Sequence, residues 1–221
     1  MTDRAQFLAT LRARLAAPAP SNTAHPMPPP LTDGIPVVRS SLVDPDDLVG
    51  SFERNAVALR AYVHRVDAAA ITDELLDDIV AKHGVQRVVV SRDPEAVEAG
   101  HRLEARGLAV SGVSTRASAE ADLGITTAAA ALAATGTVLQ DSGRSGGRTA
   151  SLLPPVHLCL VPASRIVPST AEILRGLGDG RSLPSNLVLI TGPSRSGDIE
   201  QTMALGVHGP PTVELAVLLR G

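Results

Sequence analysis

Residues 87–113 run RVVVSRDPEAVEAGHRLEARGLAVSGV, and their order decides the fold class. Arg87-Val88-Val89-Val90-Ser91 is a short apolar run of the buried-strand type. Pro94 to Gly107 carries proline early and glycine late, as a helix does, and Leu108–Val113 is a second short strand. A strand, a helix and a strand with short connections form the unit of a parallel sheet. The alternation extends upstream. Asp44-Pro45 opens a helix expected through about Leu59, and Ala61–Val66 is a strand candidate. Thr72-Asp73-Glu74 begins a helix that Gly84 should end in the left-handed cap position. The expected architecture is α/β, a mostly parallel sheet covered by helices.

Downstream the chain changes character. Of its 19 glycines, 11 fall between Gly136 and Gly209. They cluster among strand candidates at Ile125–Ala133, Thr137–Gln140, Val156–Val161, Leu187–Thr191 and Thr212–Leu219, with a helix from about Ser169 to Leu177. Glycine-rich turns after strands let backbone amides approach a ligand, so a functional site is expected in this half. At the other end, Phe7, Leu8, Leu11 and Leu15 form a helical stripe within residues 2–16, followed by dense proline from Pro18 to Pro30. Residues 1–35 are therefore read as a helical arm and a proline-rich linker, and residues 36–221 as the α/β domain.

Composition excludes several function classes. The formal net charge of −3 offers no general attraction to phosphate backbones. The aromatic residues are Phe7, Phe52 and Tyr62, so the rest of the chain has no base-stacking platform, and nucleic acid is not an expected partner. Cys159 is the single cysteine, which excludes an internal disulfide and any iron–sulfur cluster or cysteine zinc site ligated by this chain alone. His25, His64, His83 and His101 lack partners at metal-ligand spacing, and no metal is expected. The longest uncharged run, Leu123 to Gln140, contains two glycines and four threonines, and it reads as buried strands instead of a membrane span. Met1-Thr2-Asp3-Arg4 leads into an amphipathic stretch and not a secretory signal, so the expected location is the cytoplasm.

Four segments could carry chemistry: Ala134-Thr135-Gly136-Thr137, Asp141 to Arg148, Leu152-Leu153-Pro154-Pro155-Val156-His157, and Thr191 to Glu200, with Gly206-Val207-His208-Gly209-Pro210 shortly after. Thr-Gly-Thr, Gly-Gly-Arg, Leu-Leu-Pro-x-x-His, Thr-Gly-Pro-Ser-x-Ser-x-Asp-Ile-Glu and Gly-Val-His-Gly-Pro, in this order, resemble the LUD domain, the lactate utilization protein C family. The resemblance spans roughly residues 36–221. It implies a fold related to ribose-5-phosphate isomerase, glucosamine-6-phosphate deaminase and CoA transferases. It also implies a role as an accessory subunit in oxidation of L-lactate to pyruvate, with iron–sulfur clusters carried by partner subunits and no cofactor bound by this chain alone. Family members often have an acidic residue before Thr-Gly-Thr, where this chain has Ala134; a carboxylate there would be the natural base or acyl acceptor.

The loop from Thr191 should follow a strand of the parallel sheet and open a short helix, with Gly192 allowing close approach, Ser194 or Ser196 capping, and the free amides near Asp198 binding a carboxylate or phosphate. Asp141 to Arg148 is expected to be a mobile loop in which Gly147 lets Arg148 close over an anion as a bidentate clamp. His208 and Gly209 belong to a backbone-lined pocket, and Thr135, Gly136 and Thr137 to a strand corner beside it. His157, on an apolar strand, is expected to be a hydrogen-bonded core residue and Cys159 to be buried and inert. No catalytic residue is assigned. Two alternatives stay open: a small-molecule enzyme of CoA transferase-like or phosphosugar-acting type using His208 as base, and a ligand-sensing binding module.

Overall fold

Asp47 opens the first helix of the α/β unit in the computed structural model, which describes residues 6, 8–10, 12–13, 43–177, 184–197, 203–205 and 208–220. Its carboxylate accepts from the Gly50 amide, and α1 runs Leu48–Ala58. β1 (Tyr62–Val66) follows. α2 (Asp73–His83) is capped by the Thr72 hydroxyl at its start and by Gly84, at φ 62°, at its end. β2 (Arg87–Val90), α3 (Pro94–Glu104) and β3 (Ala109–Gly112) form the expected strand–helix–strand unit, with β2 and β3 paired in parallel. The chain continues through α4 (Thr115–Glu120), β4 (Leu123–Thr127), β5 (Ala130–Leu132), β6 (Thr137–Asp141), the helical turns α5 (Ser142–Ser145) and α6 (Thr149–Leu152), and β7 (Val156–Pro162). Then come β8 (Ile166–Val167), α7 (Thr170–Leu177), β9 (Leu187–Ile190), β10 (Arg195–Gly197), β11 (Met203–Leu205) and β12 (Thr212–Leu218).

The chain divides into two compact units, Met1–Val38 and Arg39–Gly221. The described residues of the first unit are helical. The linker expected at residues 17–35 lies outside the described residues.

Six strands form one sheet in the order β1-β12-β7-β4-β2-β3, every pair parallel. Alternation along each strand sends side chains to two sides. Leu123, Ile125, Leu158 and Leu160 pack with Leu76 and Ile79 of α2 and Leu103 of α3. Cys159, Val161, Val213 and Leu215 pack on the other side with Phe52 of α1 and with Ala131 and Val138. Ala131 and Val138 belong to a second sheet, of order β8-β5-β6-β9, which the sequence pattern did not anticipate. The continuous strand expected over Ile125–Ala133 is split between the two sheets. Ala128 N–H bonds to Leu160 O in the large sheet, and Ala129 N–H bonds to Leu139 O in the small one, so the chain changes sheets across one peptide link.

Two glycines are required by close approach. A Cβ at Gly124 would fall 1.9 Å from the Ala150 carbonyl oxygen of α6. Gly136, at φ 61°, turns the β5–β6 hairpin against α1, where a Cβ would lie 2.2 Å from the Ala56 amide nitrogen.

A buried charge cluster sits near the amino-terminal ends of β1 and β12. The Glu214 carboxylate is fully buried and accepts hydrogen bonds from His64 Nε2 at 2.7 Å, Lys82 Nζ at 2.8 Å and His83 Nε2 at 2.8 Å. Burial alone would raise its pKa; these three donors and the Lys82 charge more than reverse that and hold it down to about 2. The same Lys82 ammonium lies 3.3 Å from the centroid of the Tyr62 ring.

Candidate functional site

The expected site residues fall into two adjoining groups. In the first, Thr135 Oγ1 lies 2.7 Å from Thr137 Oγ1, which lies 2.9 Å from Thr191 Oγ1, so the hairpin corner and the Thr191 loop meet through three hydroxyls. Gly192, at φ 73°, passes the end of α1, where a Cβ would stand 2.9 Å from Leu59 O. Arg195 donates from its guanidinium to that same Leu59 carbonyl. Its charge is thereby turned toward α1.

The second group lines a cavity of about 760 Å³. Arg148, His208, Gly209 and Thr115 contribute its polar and backbone surface, and Leu152, Leu153 and the prolines preceding β7 and β12 its apolar wall. No carboxylate is among the described residues lining it. Ser194 joins the two groups: its amide donates to Pro210 O at 2.9 Å, and its hydroxyl accepts from the His208 amide at 3.3 Å.

The Thr191 loop differs from expectation in two respects. β9 belongs to the small sheet, where it pairs antiparallel with β6, so the loop does not leave the carboxyl end of a parallel strand. Arg195-Ser196-Gly197 then forms β10, antiparallel to β11, where a helix start was expected. Backbone groups in that hairpin are engaged in a ladder instead of being left free as at a helix N-terminus. No helix therefore begins at Ser194 or Ser196 among the described residues. Asp198 lies outside the described residues.

The segment Asp141 to Arg148, expected to be a mobile loop, is built as the helical turn α5 and the N-cap of the next, α6. Asp141 accepts from the Gly143 and Arg144 amides and caps α5. Gly146, at φ 76°, ends α5, and the Gly147 amide donates to Ser142 O at 2.9 Å. A buried anchor holds the turn. Asp93, 3% exposed, accepts from Ser91 Oγ at 2.8 Å and Ser145 Oγ at 3.0 Å, and the Arg92 amide donates to Ser145 O. Ser145 Oγ also lies 3.3 Å from Gln140 Oε1, and Gln140 Nε2 reaches Cys159 Sγ at 3.2 Å. Arg144 Nε stands 3.7 Å from Asp93 Oδ1, which occupies its charge. Arg148, which follows the two glycines, forms no ion pair among the described residues.

Sequence reasoning missed this Asp93 anchor. Its signal was Ser91-Arg92-Asp93-Pro94, polar residues directly after a buried strand of a parallel sheet, where such folds place functional groups. Asp93 occupies the N-cap position of α3, yet its side chain makes no capping bond there.

His157 and Cys159 behave as core residues. His157 is fully buried and shares a 2.8 Å hydrogen bond between Nε2 and Thr126 Oγ1. Burial pushes its pKa down to about 4, so the imidazole is neutral at neutral pH. Burial pushes the Cys159 thiol up to about 12, which removes its nucleophilic form.

Comparison with known proteins places this geometry in context. A family model described as the LUD domain matches residues 49–219. A lactate utilization protein C from Halalkalibacterium halodurans is 33% identical over 155 residues, 62% of this chain and 65% of that one, so the match spans just under two thirds of that relative. A lactate utilization protein C from Bacillus subtilis is 31% identical over 182 residues, 75% of each chain. Among solved structures, a DUF162 family protein from Deinococcus radiodurans aligns with a TM-score of 0.54 at 24% identity, covering 80% of this chain and 99% of that one. That likeness is one of fold, and it agrees with the α/β, mostly parallel architecture described above.

Proposed function

The chain belongs to the LUD domain family, and from that premise we propose that it is an accessory subunit of an L-lactate utilization system whose Arg148–His208 cavity binds a small organic anion. The lactate role is supported by relatives that bear the name lactate utilization protein C and align over most of this chain. Partner proteins in this reading carry the iron–sulfur clusters that take electrons from lactate. This is what the family resemblance implies, and the chain's single cysteine, Cys159, buried with its thiol protonated, fits such a division of labour.

The anion reading is carried by one observation. Arg148 faces a cavity with no lining carboxylate among the described residues, beside His208 and an apolar wall of leucine and proline. A guanidinium in such a setting is a ready bidentate partner for a carboxylate or phosphate, and the apolar wall suits the ligand's hydrocarbon part. His157 and Cys159 stay outside this chemistry.

The subunit reading is tested by mild affinity purification of the tagged protein from its host grown on L-lactate. Mass spectrometry and visible absorbance follow. Co-purifying iron–sulfur proteins support it; a colourless protein without partners under those conditions overturns it. The cavity is tested by thermal shift with lactate, pyruvate, CoA esters and sugar phosphates. A ligand at about a hundred times its Kd adds roughly 2.7 kcal/mol, and Arg148→Ala should abolish the shift.

A further inference from the structure

The Arg148 cavity has a neighbour of like composition. A second cavity, of about 510 Å³, opens where β2 and β3 end and is walled by α3. β2 continues into α3 on one side of the sheet, and β3 into α4 on the other. Adjacent strands whose connections part in this way form the crevice in which open α/β sheets bind ligands. Arg92 leaves β2 into this crevice, and His101 reaches it from α3. Each cavity thus holds one arginine and one histidine; the second also has one carboxylate on its wall, the exposed Glu104.

Arg92 and Arg148 share the lack of a side-chain partner with Arg12 and Arg60 among the described residues, but of these four only Arg92 and Arg148 line one of the two cavities. Ten described arginines form ion pairs with carboxylates, Arg144 among them. Arg92 and Arg148 form none, and neither guanidinium donates a hydrogen bond, among the described residues. Only a thin partition lies between them. A Cβ at Gly146 would fall 2.6 Å from Arg92 Cδ, and one at Gly147 would stand 4.0 Å from Val113 Cγ2. Val113 lines the second cavity, and Thr115, two residues on, lines the first.

We propose that the two cavities are halves of one bipartite site, which takes an elongated organic ligand bearing two anionic groups, one held by Arg92 and the other by Arg148. This rests on the anion reading of the Arg148 cavity. Each volume lies within the roughly 300–1,000 Å³ that holds whole organic ligands, far more than a lone oxyanion fills. A ligand that reaches both arginines crosses beside Gly147, where a Cβ would meet only Val113 Cγ2 at 4.0 Å, while the Arg92 side chain itself packs on Gly146. Lactate, with one carboxylate, engages one half only.

The test is titration calorimetry of the full chain with paired probes. One pair series is α,ω-alkane dicarboxylates of five to ten carbons against the matching monocarboxylates. The other is fructose 1,6-bisphosphate against fructose 6-phosphate, which separates carboxylate from phosphate as the anionic group. The wild type should bind a dianion of suitable length at least tenfold more tightly than its monoanion, with one ligand per chain. Arg92→Ala and Arg148→Ala should each remove that tenfold advantage; both side chains are exposed, so neither change should disturb folding. Binding that Arg148→Ala abolishes and Arg92→Ala leaves unchanged overturns the bipartite site and keeps the Arg148 cavity. Two independent ligands per chain also overturn it. No binding of any probe at millimolar concentration overturns both readings.

Discussion

Replacing Glu214 with Gln should remove a charge while keeping the side chain's shape, and the cost can be worked from the structure. The carboxylate is fully buried and held by His64, Lys82 and His83. A carboxyl whose pKa falls from 4.5 to about 2 on folding is linked to about 3 kcal/mol of stability at neutral pH. The Lys82 side chain is 41% exposed and can recover water, so the expected loss for Glu214→Gln is nearer about 2 kcal/mol. The sign of the pH dependence follows from the depressed value. The contribution is complete above pH 4.5 and is lost as pH falls toward 2. Urea unfolding followed by far-ultraviolet circular dichroism at pH 7, 5 and 3 measures both effects. The gap between wild type and variant should be full at pH 7 and smaller at pH 3. A variant within about 0.5 kcal/mol of wild type at pH 7, or a gap equal at pH 7 and pH 3, would refute the reasoning.

Three further outcomes are expected. Because His157 is buried neutral with a pKa near 4 against 6.5 unfolded, stability should drop by up to about 3 kcal/mol as pH falls from 6.5 to 4, and His157→Gln should flatten that limb of the urea midpoint curve. Asp93→Ala removes the acceptor of Ser91 and Ser145, so trypsin cleavage after Arg144 or Arg148 should rise about tenfold, while an unchanged rate would show that the anchor does not hold the turn. Gly124→Ala drives a methyl into the Ala150 carbonyl at 1.9 Å, and the urea midpoint should fall by the equivalent of about 3 kcal/mol; a fall under 1 kcal/mol would mean α6 can move away freely.

Much of the large sheet was legible because its signals are local. Thr72 and Gly84 mark both ends of α2, and Val88-Val89-Val90 is apolar on successive residues because both sides of the strand are covered. Two strands of the small sheet were legible, at Thr137–Gln140 and Leu187–Thr191, but their grouping into a separate sheet was not. Apart from Leu132, Thr126 to Ala133 is threonine and alanine with no glycine, proline or charge, so the change of sheets at Ala128–Ala129 leaves no break in pattern. α4 spans six residues, too few for a helical stripe to show. The Thr191 loop was misread because its serines resemble a helix start, while the pairing of Arg195–Gly197 with Met203–Leu205 joins residues that are apart in sequence. The anchor of Arg148 depends on Asp93 meeting Ser145, 52 residues away, a contact no local pattern can announce. The convergence of Arg148 with His208 was accessible through motif order, and the partition beside Arg92 only through geometry.

The Lys82 contact with Tyr62 has an optical consequence. The chain has no tryptophan and one tyrosine, so all of its intrinsic near-ultraviolet emission above the phenylalanine background comes from one ring. That ring lies under the ammonium that also serves Glu214. The chain therefore carries a native single-site fluorophore, dark to events elsewhere and tuned to the charge state of this one cluster.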